Sequence, residues 1–342
     1  MTAKAGFRTA HVVPILCACV LSGAAAAEVC TTQSQMQAAD RSALAATALD
    51  FAKRVQDRDS NGIRSLTIAQ YAQDFNGIAG AIANTGPKIK GDSLQVDSLF
   101  LLDASEVKAA ANGVAAEAQF FCSLNQTTAE TDFLIPGLPP GQYGFAVVTT
   151  ERASWEISFL FQKEQGQWKM AGFYPKALTA AGHDGLWYWT TARALVKEKH
   201  SWSAWLYYSQ AEALLRPVAF MTSTHFEKLR AEQAGAAPPA LSTGVSAEAP
   251  LVVKGKGDAE YHFTALATDD SFSKEKVDVV AHLKVDQVGD AASARQHNLA
   301  AMSALLAAYP ELRQNFHGVW IFAEAAGQSP VATELAMADI PS

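Results

Sequence analysis

In several runs between Leu94 and Phe173 apolar side chains recur at every second position, and this limits the possible fold more than any other feature of the chain. Leu94 and Val96 open the pattern. Val114, Ala116, Ala118, Phe120 and Cys122 then alternate with Ala115, Glu117, Gln119, Phe121 and Ser123. Phe145, Val147 and Thr149 follow. Trp155, Ile157, Phe159 and Phe161 alternate with Glu156, Ser158, Leu160 and Gln162. After Glu164-Gln165-Gly166, the residues Trp168, Met170 and Gly172 oppose Lys169, Ala171 and Phe173. Successive side chains of a strand point to opposite faces, so these runs are strands. Short turns between them make an antiparallel meander with one apolar face covered. The polar set Glu117, Gln119, Glu156, Ser158 and Lys169 then faces solvent or a second domain.

Ahead of the meander the period changes. Leu44, Ala48, Phe51 and Val55 recur at steps of three and four, which predicts a helix over 40–57 with Asp40 as its cap. Leu66, Ile68, Tyr71, Phe75, Ile78 and Ile82 predict a second helical stretch over 63–84, stopped by Gly86-Pro87. Helices followed by an antiparallel sheet make an α+β domain. Helical spacing returns over 187–195 and again over 202–215, where Pro217 closes it. Residues 234–250 are rich in Ala, Pro, Gly and Ser and read as a linker. Beyond them, Tyr261 to Ala267 and Val277 to Val285 alternate as strands, 291–309 reads as a helix ended by Pro310, and short strands follow at 319–322 and 333–338. The expected organisation is a leader over 1–27, an α+β domain over 28–180, a helical hairpin over 181–233, the linker, and a small α+β domain over 251–342. The hairpin is expected to pack on the preceding sheet.

The leader reads as a signal peptide. Lys4 and Arg8 precede an apolar run, Val12 to Val20, and then Leu21-Ser22-Gly23 and Ala24 to Ala27. A basic start, a short apolar core and a small-residue exit are the parts of a secretory signal, with cleavage expected between Ala27 and Glu28. The run falls short of the roughly 20 residues a spanning helix needs. A lipid anchor at Cys19 and an uncleaved anchor are the alternatives. Cleavage removes Cys17 and Cys19 and leaves Cys30 and Cys122. In an oxidising compartment a lone pair of thiols has one intramolecular bond open to it, and a disulfide is expected. The alternative is one buried and one free thiol. Loss of Lys4 and Arg8 takes the net charge from −7 to −9. That balance argues against nucleic acid and anionic membrane surfaces, which select clustered Lys and Arg. No later segment has the length and apolar content of a membrane span.

Two resemblances add expectations. The element order over 40–176, with the closing hairpin Glu164-Gln165-Gly166-Gln167-Trp168-Lys169-Met170-Ala171-Gly172-Phe173, resembles an NTF2-like domain, the cystatin-like α+β cone. The resemblance implies a cone-shaped cavity between sheet and helices, on a fold that hosts enzymes, binding modules and adaptors alike. The hairpin resembles one tetratricopeptide repeat, with Tyr188 and Ala192 in its first helix and Ala204, Tyr208 and Ala211 in its second. Thr191 stands where the repeat has leucine, and Pro217 falls one residue late. A single copy lacks the neighbours, roughly three repeats or more, that a stack requires.

The chain carries few parts for catalysis. Seven histidines follow the leader, and none stands at a metal-ligand spacing; there is no H-E-x-x-H and no C-x-x-C. Ser271-Phe272-Ser273-Lys274 matches S-x-x-K but lacks its partner motifs, no G-x-S-x-G occurs, and Gly255-Lys256-Gly257-Asp258 is too short for a phosphate loop. His183 is either a base or a loop side chain beside a capping Asp184, the second being the commoner arrangement. Asn125-Gln126-Thr127 is a glycosylation sequon. Four of the seven tryptophans fall between Trp187 and Trp205, and adjacent aromatics cannot all face one core. The apolar stretch Phe133 to Gly141 reads as a loop. Trp187, Trp189, Trp202, Trp205 and Leu138 are therefore the expected contact surface. No catalytic, metal or cofactor residues are assigned. The expected partner is a protein or another envelope component, in a non-catalytic binding or scaffold role. An enzyme acting on a small apolar ligand in the cone is the alternative.

Overall fold

The computed structural model of this α+β protein describes residues 28–107, 117–123, 130–241 and 245–341. The leader with its expected cleavage point, the sequon, and Val114 to Ala116 lie outside them. Strand β1 (Val29–Thr32) leads into α1 (Ala38–Asp57) and three short helices, α2 (Ser60–Ser65), α3 (Ala69–Gln73) and α4 (Asn76–Thr85). The expected single helix over 63–84 is thus broken. Thr67 Oγ1 donates back to the Ile63 carbonyl, and the Ile68 amide donates to Met170 of the sheet, so the chain leaves the helical path between them. Helix α1 starts before Asp40, which lies in its first turn and not at its cap.

Strands β2 (Leu94–Asp103), β3 (Glu117–Ser123), β4 (Glu130–Pro136), β5 (Gln142–Thr150), β6 (Trp155–Glu164) and β7 (Gln167–Ala177) follow. They divide into two sheets. One is antiparallel, in the order β1-β2-β5-β6-β7. Gln165 and Gly166 take φ of 50° and 82° and close β6 onto β7 in two residues, the left-handed geometry that suits a tight hairpin. The other sheet holds β3 and β4 and covers the back of the first. Its members Ala118, Phe120, Phe133 and Ile135 bury against Phe100, Leu102, Phe145, Val147 and Leu160. The front takes α1 through Leu44, Phe51 and Val55 against Ile157, Phe159 and Phe161. The main sheet is therefore covered on both faces, not one, and Phe133 to Pro136 is strand, not loop, with Phe133 and Ile135 buried and Leu134 and Pro136 exposed. Disulfide Cys30–Cys122 joins β1 of one sheet to β3 of the other.

Of the polar set, Glu156 and Ser158 are buried. Lys176, across the hairpin from Glu156, donates from Nζ to the carbonyls of Ala213 (3.2 Å), Leu214 (2.9 Å) and Arg216 (2.6 Å). It satisfies orphan acceptors at a helix C-terminus, where positive charge is favoured. Burial pushes the Glu156 carboxyl up and the Lys176 ammonium down, each opposed by the other's charge.

That C-terminus belongs to the hairpin α5 (Gly185–Lys197) and α6 (Ser201–Leu215), which follows the two-residue strands β8 (Thr179–Ala180) and β9 (His183–Asp184). Strand β10 (Met221–Ser223) then pairs with β4, and α7 (Thr224–Ala236) packs on α6. The hairpin shares its core with the C-terminal sheet and not with the main sheet, contrary to expectation. The reason lies in its aromatics. Trp202 packs on Tyr309 at 4.1 Å between ring centres and Tyr207 on Phe316 at 5.4 Å. Glu311 accepts from the amides of Trp202 (2.6 Å) and Ser203 (3.3 Å), capping an α6 N-terminus that has no side-chain cap of its own.

Glu232 ties α7 to α5. It accepts from Trp189 Nε1 at 2.8 Å and from Arg193 Nε and Nη2 at 2.7 and 2.8 Å. Arg193, more than any other group, holds its carboxyl down at about 2, against an ordinary 4.5. A folded-state value below the unfolded one stabilises above pH 4.5 and stops doing so as pH falls towards 2. Glu232→Gln is expected to cost about 1–2 kcal/mol at neutral pH. The gap between wild type and variant should narrow steadily on acidification between those two values. Equal urea midpoints for the two proteins at pH 7 would refute this.

After the segment 237–250, in which Leu241 is buried, come β11 (Leu251–Lys254), β12 (Glu260–Asp269) and β13 (Asp278–Lys284). The chain continues through α8 (Ala291–Ala308), α9 (Leu312–Asn315), β14 (Gly318–Glu324) and β15 (Val331–Ala336). Asp290 caps α8 by accepting from the amides of Ala292 and Ser293. The five strands form one mixed sheet in sequence order, with β13 and β14 parallel because α8 carries the chain back.

Candidate functional site

The cone implied by the NTF2-like resemblance is packed solid at its centre. Phe51 stands edge-on to Phe159 (6.0 Å) and Phe161 (5.2 Å), with Leu44, Val55 and Ile82 around them. Among the described residues, two of the hollows lie in this unit. One, of about 200 Å³, is lined by Tyr71, Leu138, Tyr174 and Phe220 among others. The other, of about 270 Å³, is lined by Tyr143, Lys163, Trp168 and Asp103 among others. The Asp103 carboxyl is held down by the Ser105 hydroxyl and amide, which suits a turn anchor and not a proton acceptor.

The five expected contact residues do not gather into a surface. Trp189, Trp202 and Leu138 are buried, and Trp205 is half-buried against the core. Trp187 remains exposed, with the His183 ring stacked on it at 3.6 Å and 8°. Asp184 caps α5 by accepting from the Trp187 amide at 2.8 Å. Ser271 to Lys274 lie in the turn between β12 and β13, where the Lys274 carbonyl closes on Gly182.

A partly exposed ring-bearing face lies on the C-terminal sheet. Val279, Ala281, Leu283, Val319 and Ile321 face the core beneath α6 and α8, and Ala323 is buried on the same parity. By strand alternation, Asp278, Val280, His282 and Lys284 of β13 point the other way, with Gly318, Trp320, Phe322 and Glu324 of β14. The parallel register sets Val280 beside Trp320 and His282 beside Phe322. Three rings are thereby nearly parallel and stacked in a row: His282 on Phe322 at 5.3 Å and 15°, and Phe322 on Trp320 at 5.8 Å and 14°. Phe272, 57% exposed, extends the row at 5.2 Å from Trp320. Carboxylates flank both ends. Glu324 contacts His282 Nδ1 at 2.8 Å, and Glu334 stands beside Trp320 in the β14–β15 register.

At the Glu334 end three ionisable groups converge. Asp278, 1% exposed, lies 2.8 Å through Oδ1 from His317 Nδ1 and accepts from Trp320 Nε1 at 3.3 Å through Oδ2. Asp278, His317 and Glu334 offer ligand atoms within 4.8 Å of one another. Burial pushes the Glu334 carboxyl up, the Asp278 charge adds to that, and His317 opposes it. Gly318 makes the convergence possible. A Cβ there would meet the Leu335 carbonyl at 2.6 Å and Asp278 Oδ1 at 3.0 Å. Neither this cluster nor the full ring row is legible as a local motif, because its members come from separate segments and meet through sheet register. Period-two alternation places Trp320 and Phe322 on one face, and that was the one signal available. Comparison with protein-family models, curated proteins and solved structures gives no match to the chain.

Proposed function

We propose that this is an exported, non-catalytic binding protein that uses the open face of its C-terminal sheet to hold a cationic ligand with a flat or apolar body, such as an Arg- or Lys-rich peptide segment. The observation that carries the reading is the row His282, Phe322, Trp320 and Phe272, bounded by Glu324 and Glu334. The carboxylates at the two ends attract a cation, and the ring surface between them desolvates its stem. The acidic balance of the chain works in the same direction. A signal-like leader and the Cys30–Cys122 bond support an extracytoplasmic location. No described helix is long and apolar enough to cross a membrane. The helix-on-sheet order of the N-terminal unit supports the NTF2-like resemblance, and its filled centre favours a scaffold over an enzyme built on that fold. The two-helix unit beside it keeps the small and aromatic positions of a lone tetratricopeptide-like hairpin.

Calorimetric titration of the metal-free chain, in chelator, with an arginine hexapeptide tests this. Saturable binding that weakens with salt is expected. Trp320→Ala and Phe322→Ala should each lower the affinity by roughly tenfold, about 1.4 kcal/mol. Binding of a neutral oligosaccharide in place of the peptide, or peptide affinity indifferent to both substitutions, would overturn the reading.

A further inference from the structure

We propose that Asp278, His317 and Glu334 bind one divalent transition-metal ion of borderline softness, with Zn2+ as its representative. The inference is independent of the ligand proposed for the ring row.

The donors come from three different segments and are held for the purpose by the sheet. Asp278 opens β13, and its buried carboxylate is pinned through Oδ2 by the Trp320 indole. That leaves Oδ1 towards His317 Nδ1 at 2.8 Å. His317 is fixed at the entry to β14 by its own backbone: its amide donates to the Val277 carbonyl at 3.0 Å, and its carbonyl accepts from Met337 at 2.9 Å. Glu334 reaches in from β15, and its carboxylate makes no hydrogen bond among the described residues. On β14, Gly318 stands opposite Ala336 of β15, and any Cβ on it would press on the Leu335 carbonyl and on Asp278 Oδ1. The missing side chain leaves Asp278 Oδ1 uncrowded on that side.

The donor chemistry narrows the ion. With a neutral ring the three groups place two negative charges around one nitrogen donor, an arrangement a dication neutralises. Tetrahedral zinc holds nitrogen and carboxylate oxygen at about 2.0–2.2 Å, so its donors stand roughly 3.3–3.6 Å apart. Ligand atoms already within 4.8 Å reach that spacing by small side-chain rotations, the Asp278–His317 pair opening by about half an ångström. The ring then ligates through Nδ1 and carries its proton on Nε2. Imidazole with two carboxylates is a poor set for Mg2+ and Ca2+, which take oxygens, and lacks the sulfur that selects Cu(I). Three protein donors leave a further coordination position, on the side where His317 is one-third exposed. The indole behind Asp278 acts as the outer contact that orients a ligating carboxylate.

The test uses the full chain after its leader, stripped with chelator, with Co2+ as a spectroscopic probe and Zn2+ as competitor. Expected are visible d–d absorption that saturates at one Co2+ per chain, its loss on adding Zn2+, and a thermal midpoint raised by Zn2+. His317→Ala and Glu334→Gln should each weaken binding at least tenfold, whereas His282→Ala, at the far end of the ring row, should not. Glu334→Gln preserves volume and leaves the Asp278–His317 contact intact, so it reports on the metal even if His317→Ala folds poorly. Absence of both the Co2+ absorption and the Zn2+-dependent midpoint shift in the wild type would overturn the site. So would undiminished binding in Glu334→Gln. The peptide titration is done without metal, so either proposal can fail alone.

Discussion

Replacing both Cys30 and Cys122 by alanine is expected to cost about 4–5 kcal/mol of stability in the N-terminal unit. The bond closes a loop with a sequence separation of 92 residues, and in the chain-entropy picture a loop of that size restricts the unfolded ensemble by about this much. Native packing alone would not give so large an effect, since Cys122 is a small side chain in the inter-sheet core and Cys30 is packed at its margin. The denaturant midpoint should fall, and the dependence on denaturant should steepen, because the uncrosslinked chain exposes more surface when unfolded. Wild type in reductant should behave like the double variant. The loss should be felt first in β3, whose edge is tied to β1 by the bond and by the Glu28–Phe120 bridge. Unchanged midpoints in both experiments would show that the crosslink contributes nothing.

Phe133→Ala should cost about 3–5 kcal/mol, the range for emptying a closed aromatic site. Phe133 is fully buried where the two sheets meet, with Phe100 and Phe145 each at 5.1 Å and edge-on and Phe220 at 6.5 Å. It is also the β4 residue opposite Met221 of β10, the strand through which the helical region is sewn to the N-terminal unit. The substitution therefore opens a cavity and loosens that seam. Phe133→Leu should recover more than half of the loss, because it refills most of the volume without the edge-to-face contacts. Amide exchange in β3, β4 and β10 should accelerate together in the alanine variant, while α8 and β14 keep their protection. A loss below about 1 kcal/mol, or acceleration confined to β4, would contradict this account.

Much of the local structure was legible in the residues themselves. Alternation marked β6, β7, β12 and β13, and Glu164-Gln165-Gly166 marked the turn between the first two. Asp184 read as a cap because a carboxylate before an aromatic helical run can accept its first-turn amides, and it does so from Trp187. The stretch 63–84 misled because its apolar spacing is helical, while the backbone bond from Ile68 to Met170 that interrupts it comes from a strand about a hundred residues later. Phe133 to Pro136 misled in the other direction. Its Pro-Gly neighbourhood suggests a loop, and the aromatic pocket that claims Phe133 is built from residues of β2, β5 and the segment before β10.

By itself the sequence determined the type of the strongly periodic elements and the one cysteine pair available, because each depends on residues close along the chain or on a count. Tertiary structure alone decided that the main sheet is covered twice, that the helical hairpin joins the C-terminal core, and that Asp278, His317 and Glu334 meet. The physical reason is range. Periodicity reports which way a side chain points, whereas its partner across a sheet is set by register with strands 39 and 42 residues away, as for Asp278 with His317 and with Trp320. A glycine at 318 carries meaning once β13 and β15 stand on either side of it.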